Sequence, residues 1–308
     1  MDRFKGRDIL STRDFTREEI LFVLDAARLF ADGGGEEARP LRGKVLATLF
    51  FEPSTRTRLS FEAAIKRLGG NTIGFADAGV SSAAKGESLH DTVRVVEGYC
   101  DAIVIRHPRE GAARLAAEAT RLPVVNGGDG SNQHPTQTFI DLYTIREARG
   151  RVSGLHIGFL GDLKYGRAAH ALITAAAAMG NRLTLVSPVE LRLPGSIMEE
   201  LKEAGVKPVQ TSDLEAALGD LDVLYVTRIQ QERFHDPLEY ERVRNAYRLD
   251  RKTLEGAGRK LSILHPLPRV REIDPEVDAM EGALYFRQAH NGVTVRKALL
   301  SLLLGVLP

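Results

Sequence analysis

The stretch Ser54-Thr55-Arg56-Thr57-Arg58 interleaves three hydroxyls with two guanidinium groups. It lies where a strand-like apolar run, Val45 to Phe51, gives way to a helix-like run, Leu59 to Leu68, that Gly69-Gly70 would stop. At a helix N-terminus the first backbone N–H groups lack intrahelical partners and the dipole is positive, so an anion is favoured there. Arginine can grip the oxygens of a dianionic phosphate bidentately while Ser and Thr hydroxyls bind the others. Alone, the pentapeptide is better read as a capped helix with solvated arginines. Its weight comes from similar chemistry recurring downstream.

In an open α/β sheet, ligands bind beyond the carboxyl ends of the strands. After Ile105 come Arg106-His107-Pro108, and after Val125 a loop, Asn126 to Asn132, leads to Gln133-His134-Pro135-Thr136-Gln137. After Leu160 come Gly161-Asp162-Leu163-Lys164-Tyr165-Gly166-Arg167. Val226 is followed by Thr227-Arg228-Ile229-Gln230, and Leu264 by His265-Pro266-Leu267-Pro268-Arg269. Each has a structural explanation when taken singly. Arg106 could form a surface ion pair of little energy, and His134 could merely start a helix. Arg167 could pair with Glu52 or Asp162, and the two prolines could make a rigid turn whose carbonyl groups lack helical partners. Their recurrence at successive strand ends favours function: anion recognition joined to polarisation of a carbonyl, without a cofactor.

Strand-like and helix-like segments alternate almost throughout, which predicts parallel sheets covered by helices. The first half reads Val45–Phe51 strand, Leu59–Leu68 helix, Asn71–Phe75 strand, Ala102–Ile105 strand, Gly111–Ala119 helix and Pro123–Val125 strand. The second reads Leu155–Leu160 strand, Ala168–Met179 helix, Arg182–Val186 strand, Ile197–Glu203 helix, then Val223–Val226 and Leu261–Leu264 strands. A helical run around Phe139, Ile140, Leu142, Tyr143 and Ile145, ended by Gly150, bridges the halves. The expected organisation is two doubly wound parallel-sheet α/β domains, 1–150 and 151–290, joined by bridging helices. The last helix, Val293 to Val306, is apolar on several sides, so it is expected to be buried, with 291–308 packing back on the first domain. Gly33-Gly34-Gly35 reads as a flexible loop between two N-terminal helices.

Composition narrows the function classes. A chain of 308 residues exceeds what one core usually organises. Its 42 basic and 41 acidic residues create no global field for nucleic acid or anionic lipid. No apolar run reaches the ~18 residues that span a membrane, and the polar start, Met1-Asp2-Arg3-Phe4-Lys5-Gly6, lacks a secretory core. Cys100 is the only cysteine, so no intrachain disulfide and no thiolate zinc site can form. A soluble, cytoplasmic protein is expected. Gly158-Phe159-Leu160-Gly161-Asp162 fails the dinucleotide spacing because Leu160 stands at the second glycine position. There is no P-loop, no G-x-S-x-G elbow and no paired-histidine metal motif.

Together these residues resemble the transcarbamoylase family. The resemblance runs from Ser54–Arg58 through Lys85-Gly86-Glu87, Arg106, His134–Gln137, Gly161–Arg167 and Arg228–Gln230 to His265–Arg269, in order and over nearly the whole chain. Within the family the aspartate branch fits. Ornithine enzymes carry a cysteine in the motif that here reads His265-Pro266-Leu267-Pro268 and an acidic Ser-Met-Gly loop missing from this chain. Arg167, Arg228 and Lys85 suit an acidic acceptor with two carboxylates, whereas ornithine would need an acidic partner. Arg228 and Gln230, two residues apart on an extended segment, can present both donors to one side.

The resemblance implies an active site in a cleft between the domains and transfer of the carbamoyl group of carbamoyl phosphate to an aspartate amine. Ser54, Thr55, Arg56, Thr57 and Arg106 would hold the phosphate. Thr55, Arg106 and His134 would bind the carbonyl oxygen as negative charge grows on it. Gln137, the Leu267 carbonyl and Pro268 would orient the carbamoyl amide, and Lys85, Arg167, Arg228 and Gln230 would receive aspartate. Glu52 would act on domain closure by pairing with Arg167 and Arg233. The family also implies a homotrimer in which Ser81 and Lys85 enter the neighbouring subunit's site, from a loop, Asp77 to Lys85, with little apolar content. Where some relatives carry two adjacent lysines, this chain has Ala84-Lys85. Regulatory chains or a dihydroorotase are further partners that the resemblance allows. The nearest alternatives are a transcarbamoylase using ornithine or a related amine, a non-catalytic relative that binds partners, and a dinucleotide-dependent dehydrogenase. The intact Arg56, Arg106, His134 and Gln137 disfavour the second, and Leu160 disfavours the third.

Overall fold

A computed structural model describes residues 3–234, 236–257 and 260–307. Met1-Asp2 of the polar start and Pro308 of the expected last helix lie outside them. The chain divides into two compact units, one running to Tyr143 and resumed from His290, the other Thr144–Ala289.

The first unit carries α1 (Arg17–Arg28), β1 (Val45–Phe50), α2 (Thr55–Arg67), β2 (Asn71–Phe75), α3 (Leu89–Val96), β3 (Ala102–His107), α4 (Ala112–Ala119) and β4 (Val124–Asp129). Its strands form one parallel sheet in the order β2-β1-β3-β4. Strand β1 is buried almost throughout because its run of Leu, Ala, Thr and Phe is covered on both faces. Ala47, Leu49, Ile103 and Ile105 pack against Val93, Ala113 and Ala116. Each fully buried Leu, Ile or Val contributes about 1.5–3 kcal/mol. Register sets Phe50 opposite Arg106, so the residues after β1 and the end of β3 come together at one edge.

Helix α5 (Pro135–Arg149) carries the chain into the second unit, and α11 (Tyr285–Leu303) returns it. The second unit holds β5 (His156–Leu160), α6 (Arg167–Ala178), β6 (Arg182–Val186), α7 (Gly195–Glu203), β7 (Val209–Thr211), α8 (Leu214–Leu218), β8 (Val223–Val226), α9 (Pro237–Val243), α10 (Arg251–Leu254) and β9 (Ser262–Leu264). Its parallel sheet runs β7-β6-β5-β8-β9. The core includes Leu160, Val186, Leu224, Val226 and Ile263. Gly161, at φ +115°, lets β5 end against β8: a Cβ there would stand 2.2 Å from the Thr227 carbonyl oxygen. That glycine therefore serves sheet packing.

Several elements differ from expectation. Helix α2 begins at Thr55, not Leu59, because the polar first turn takes helical geometry before the apolar period starts. Strand β4 continues through Asn126-Gly127-Gly128-Asp129, where a loop was expected. Helix α11 starts at Tyr285, before Val293. Before β1 there is one α-helix among the described residues, followed by a 3-10 turn, Ala31–Gly33, instead of a second helix. The Asp77–Lys85 segment forms two 3-10 turns, Ala78–Val80 and Ser82–Lys85, capped by the Asp77 and Ser81 side chains.

Candidate active site

The first-unit residues converge at the N-terminus of α2. Ser54 is its N-cap, with extended backbone and no side-chain capping bond, so Thr55, Arg56 and Thr57 occupy the first turn. There the backbone N–H groups and the dipole are directed at whatever lies beyond β1. Thr57 is buried, and its Oγ1 lies 3.3 Å from Nε2 of the buried His134. A residue of the phosphate-type motif thus touches the histidine that follows β4.

Arg106 reaches the same edge from β3. Its Nη2 donates to Glu52 at 2.6 Å and its Nη1 to the Gly127 carbonyl at 3.1 Å, which fixes the plane of the guanidinium. The pair is largely buried, with 11% of the Arg106 side chain exposed. The sequence did not single out Glu52 as an Arg106 partner. The Gly127 carbonyl is held by a polar knot: Asn126 Nδ2 donates to Asp129 at 2.8 Å, and Asn126 Oδ1 accepts from the Gly128 N–H at 2.7 Å. Asp129 also accepts from the Gln133 and Gly111 N–H groups, so the same knot sets the backbone just before His134.

Gln137 sits in the first turn of α5, where its Nε2 donates to Asp141 at 2.7 Å. Arg296, from α11, ties the two motif helices together. Its Nη1 donates to Ser60 at 2.7 Å and its Nη2 to Thr136 at 3.2 Å, and it lies 4.7 Å from the Phe61 ring centre. Ser81 and Lys85 lie in the capped turns after β2; Lys85 is exposed and Ser81 half-buried.

The second unit gathers its own set at the ends of β5, β8 and β9. Arg167 opens α6. Asp162, fully buried, accepts from the N–H groups of Lys164 at 3.1 Å, Tyr165 at 2.9 Å and Gln230 at 3.4 Å. Burial pushes its carboxyl above the usual range, against the pull of those bonds. One carboxylate therefore aligns both the Gly161–Arg167 and Arg228–Gln230 segments. Arg228 lines a cavity of about 150 Å³ with Arg244, Arg271, Tyr240, Tyr247 and Glu272.

Leu267 has φ +54°, a left-handed conformation uncommon for a branched residue. It is held by the fully buried His265, whose Nδ1 accepts from the Leu267 N–H at 2.8 Å. Burial drives the imidazole below its ordinary range, so it is neutral, with Nε2–H donating to Glu272 at 2.8 Å. Burial acts to raise the Glu272 carboxyl, but the His265 and backbone hydrogen bonds outweigh it and bring it down to about 2. A carboxyl with a depressed folded-state value gives stability that is complete above about pH 4.5 and lost as the pH falls towards 2. Glu272→Gln is expected to lose up to about 3 kcal/mol at neutral pH and to flatten the pH dependence between pH 4.5 and 2. Chemical denaturation of both proteins across that range checks this; parallel profiles would contradict it.

The sequence-derived residues thus fall into two clusters, Ser54–Thr57, Arg106, His134 and Gln137 in the first unit and Arg167, Arg228, Gln230, Leu267 and Pro268 in the second. Asn126, Asp129, Asp141 and the bracing role of Asp162 were missed. One of them had a signal: Gln137 and Asp141 stand four apart on a helix, a spacing at which Gln and Asp side chains meet.

Comparison with known proteins also finds two domains, although the second domain model runs on through residues 290–303, which here belong to the first unit. The carbamoyl-phosphate-binding domain model of aspartate/ornithine carbamoyltransferase fits residues 7–147, and the Asp/Orn-binding domain model fits 153–303. The aspartate carbamoyltransferase catalytic subunit of Thermococcus onnurineus is 60% identical, over 99% of both chains. The solved catalytic subunit of M. jannaschii aspartate transcarbamoylase is 52% identical with a TM-score of 0.87, covering 96% of each chain. Aspartate transcarbamoylase from Trypanosoma cruzi, solved with N-(phosphonacetyl)-L-aspartic acid, is 36% identical with a TM-score of 0.92, covering 99% of this chain and 98% of that one. The chain belongs to the aspartate/ornithine carbamoyltransferase family, in its aspartate carbamoyltransferase branch.

Proposed function

We propose that the chain transfers the carbamoyl group of carbamoyl phosphate to the amine of L-aspartate, giving N-carbamoyl-L-aspartate and phosphate, an early step of de novo pyrimidine biosynthesis in the cytoplasm. The observation that carries this reading is the contact between Thr57, which we assign to the phosphate, and His134, which we assign to the carbonyl oxygen. Ser54, Thr55, Arg56 and Thr57 at the start of α2 take the phosphate with Arg106. Thr55, Arg106 and His134 donate to the carbonyl oxygen, while Gln137 and the carbonyl of Leu267, beside Pro268, accept from the amide. Lys85, Arg167, Arg228 and Gln230 receive the two carboxylates of aspartate.

The amine lone pair attacks the carbonyl carbon, and the bond from that carbon to the bridging phosphate oxygen breaks as the tetrahedral intermediate collapses. The departing phosphate takes the proton that leaves nitrogen, so no protein base is required. Most of the acceleration comes from holding two anions in reacting geometry and from donors placed where charge develops. Purified protein, assayed with L-aspartate and L-ornithine in parallel and with the product identified by mass, should carbamoylate aspartate alone. Turnover of ornithine would refute the second-substrate assignment.

The working assembly is a homotrimer in which Ser81 and Lys85 serve the neighbouring subunit's site. Both lie in capped turns instead of a core, which suits residues that must reach outward. Inactive Lys85→Ala and His134→Ala proteins, mixed after dissociation and reassociated, are then expected to regain up to about a quarter to a third of the sites. Failure to regain any activity would argue for self-contained subunits.

A further inference from the structure

An amide side chain can accept or donate, and its function depends on which end faces the ligand. At Gln137 that choice is made one helical turn away. Asp141 is completely buried and accepts from Gln137 Nε2 at 2.7 Å. An ionised carboxylate can only accept, so Nε2 must face it and Oε1 must face away. Arg296, itself buried, interacts electrostatically with Asp141 and favours its ionised form. Burial lowers the guanidinium and Asp141 pulls it back up, to about 9, which leaves it a cation at neutral pH. Gly292 makes room for it: a Cβ there would stand 2.7 Å from Arg296 Nη1 and 3.4 Å from Ile140 Cδ1. The same guanidinium holds Thr136, next to Gln137 in the chain.

We propose that Asp141, supported by Arg296, is a positioning residue that fixes the Gln137 amide as an acceptor and so makes the site select an NH2 group on the acyl carbon of the phosphate donor. The selection is for a carbamoyl over an acetyl group, which matches it in shape but cannot donate. This deepens the reading that Gln137 meets the carbamoyl amide and rests on it.

The test compares the dissociation constants of carbamoyl phosphate and acetyl phosphate, by calorimetry, for the wild type, Gln137→Ala and Asp141→Asn. A merely structural loss weakens both ligands alike and leaves their ratio unchanged. In Asp141→Asn the Oδ1 atom is drawn to Arg296, so Nδ2 turns towards Gln137 and the glutamine amide reverses. Both variants are expected to narrow the preference for carbamoyl phosphate about tenfold, the worth of one hydrogen bond made or opposed. A wild-type ratio in Asp141→Asn beside a narrowed one in Gln137→Ala overturns the proposal and leaves the role of Gln137 intact. An unchanged ratio in Gln137→Ala refutes the reading of Gln137 itself, and the proposal with it. If Asp141→Asn does not fold, Asp141→Asn with Arg296→Gln removes the buried cation as well. It is expected to narrow the ratio several-fold, since nothing then imposes either orientation, and an unchanged ratio overturns the proposal in the same way.

Discussion

Arg106→Ala is expected to lower kcat/KM at least about a thousandfold while the protein stays folded. Arg106 is assigned both to the phosphate and to the carbonyl oxygen, so its loss removes ground-state binding and transition-state stabilisation together. Losing a single preorganised donor costs about 100- to 1,000-fold, and losing a charge-assisted phosphate contact adds to that. The guanidinium is aimed by Glu52 at 2.6 Å and the Gly127 carbonyl at 3.1 Å, so a flexible ammonium at the same position cannot reproduce its plane. Arg106→Lys should therefore recover only a small part of the loss. Glu52 keeps 29% of its side chain exposed, which limits the cost to stability of losing the Arg106 pair. Steady-state kinetics with both substrates varied, alongside thermal melting, checks the expectation. Activity within tenfold of wild type would remove Arg106 from the site.

His134→Ala should lower kcat by about 100- to 1,000-fold and change carbamoyl phosphate affinity much less. The distinction arises because His134 is assigned to the carbonyl oxygen, where charge appears only during reaction, whereas the phosphate is gripped mainly by α2 and Arg106. No proton passes through the imidazole in this scheme. The residual activity of His134→Ala should accordingly keep the pH profile of the wild type, displaced downwards. Loss of a limb of that profile would identify His134 as a base and contradict the proton route through phosphate. Because Thr57 contacts the ring, Thr57→Val should reduce kcat in the same direction by a smaller factor.

The strands were the most legible part of the chain. Asn71–Phe75, Arg182–Val186 and Val223–Val226 coincide with their expected bounds. Strand β4 was read too short because Asn-Gly-Gly-Asp has the composition of a turn. The extension exists because Asn126 and Asp129 turn their side chains onto each other and onto nearby backbone. Helix α3 went unread, since its eight residues follow a segment of small and polar residues that masks where the period begins.

The functional residue types were legible because arginine, histidine and glutamine after apolar runs stand out chemically. Their mutual contacts were not. Thr57 and His134 are 77 positions apart, and no local pattern links them. A buried carboxylate such as Asp162 looks like a surface charge in a sequence, because bonds that satisfy it come from the backbone of another strand end, as with the Gln230 N–H.

The most direct test of the central claim is calorimetric titration of the protein with carbamoyl phosphate in the absence of aspartate. The α2–Arg106–His134 site should bind one equivalent per chain, compete with inorganic phosphate, and lose at least about tenfold in affinity in Arg56→Ala and again in Arg106→Ala. Binding that is absent in the wild type, or that survives both substitutions unchanged, would contradict a carbamoyl phosphate site at the start of α2.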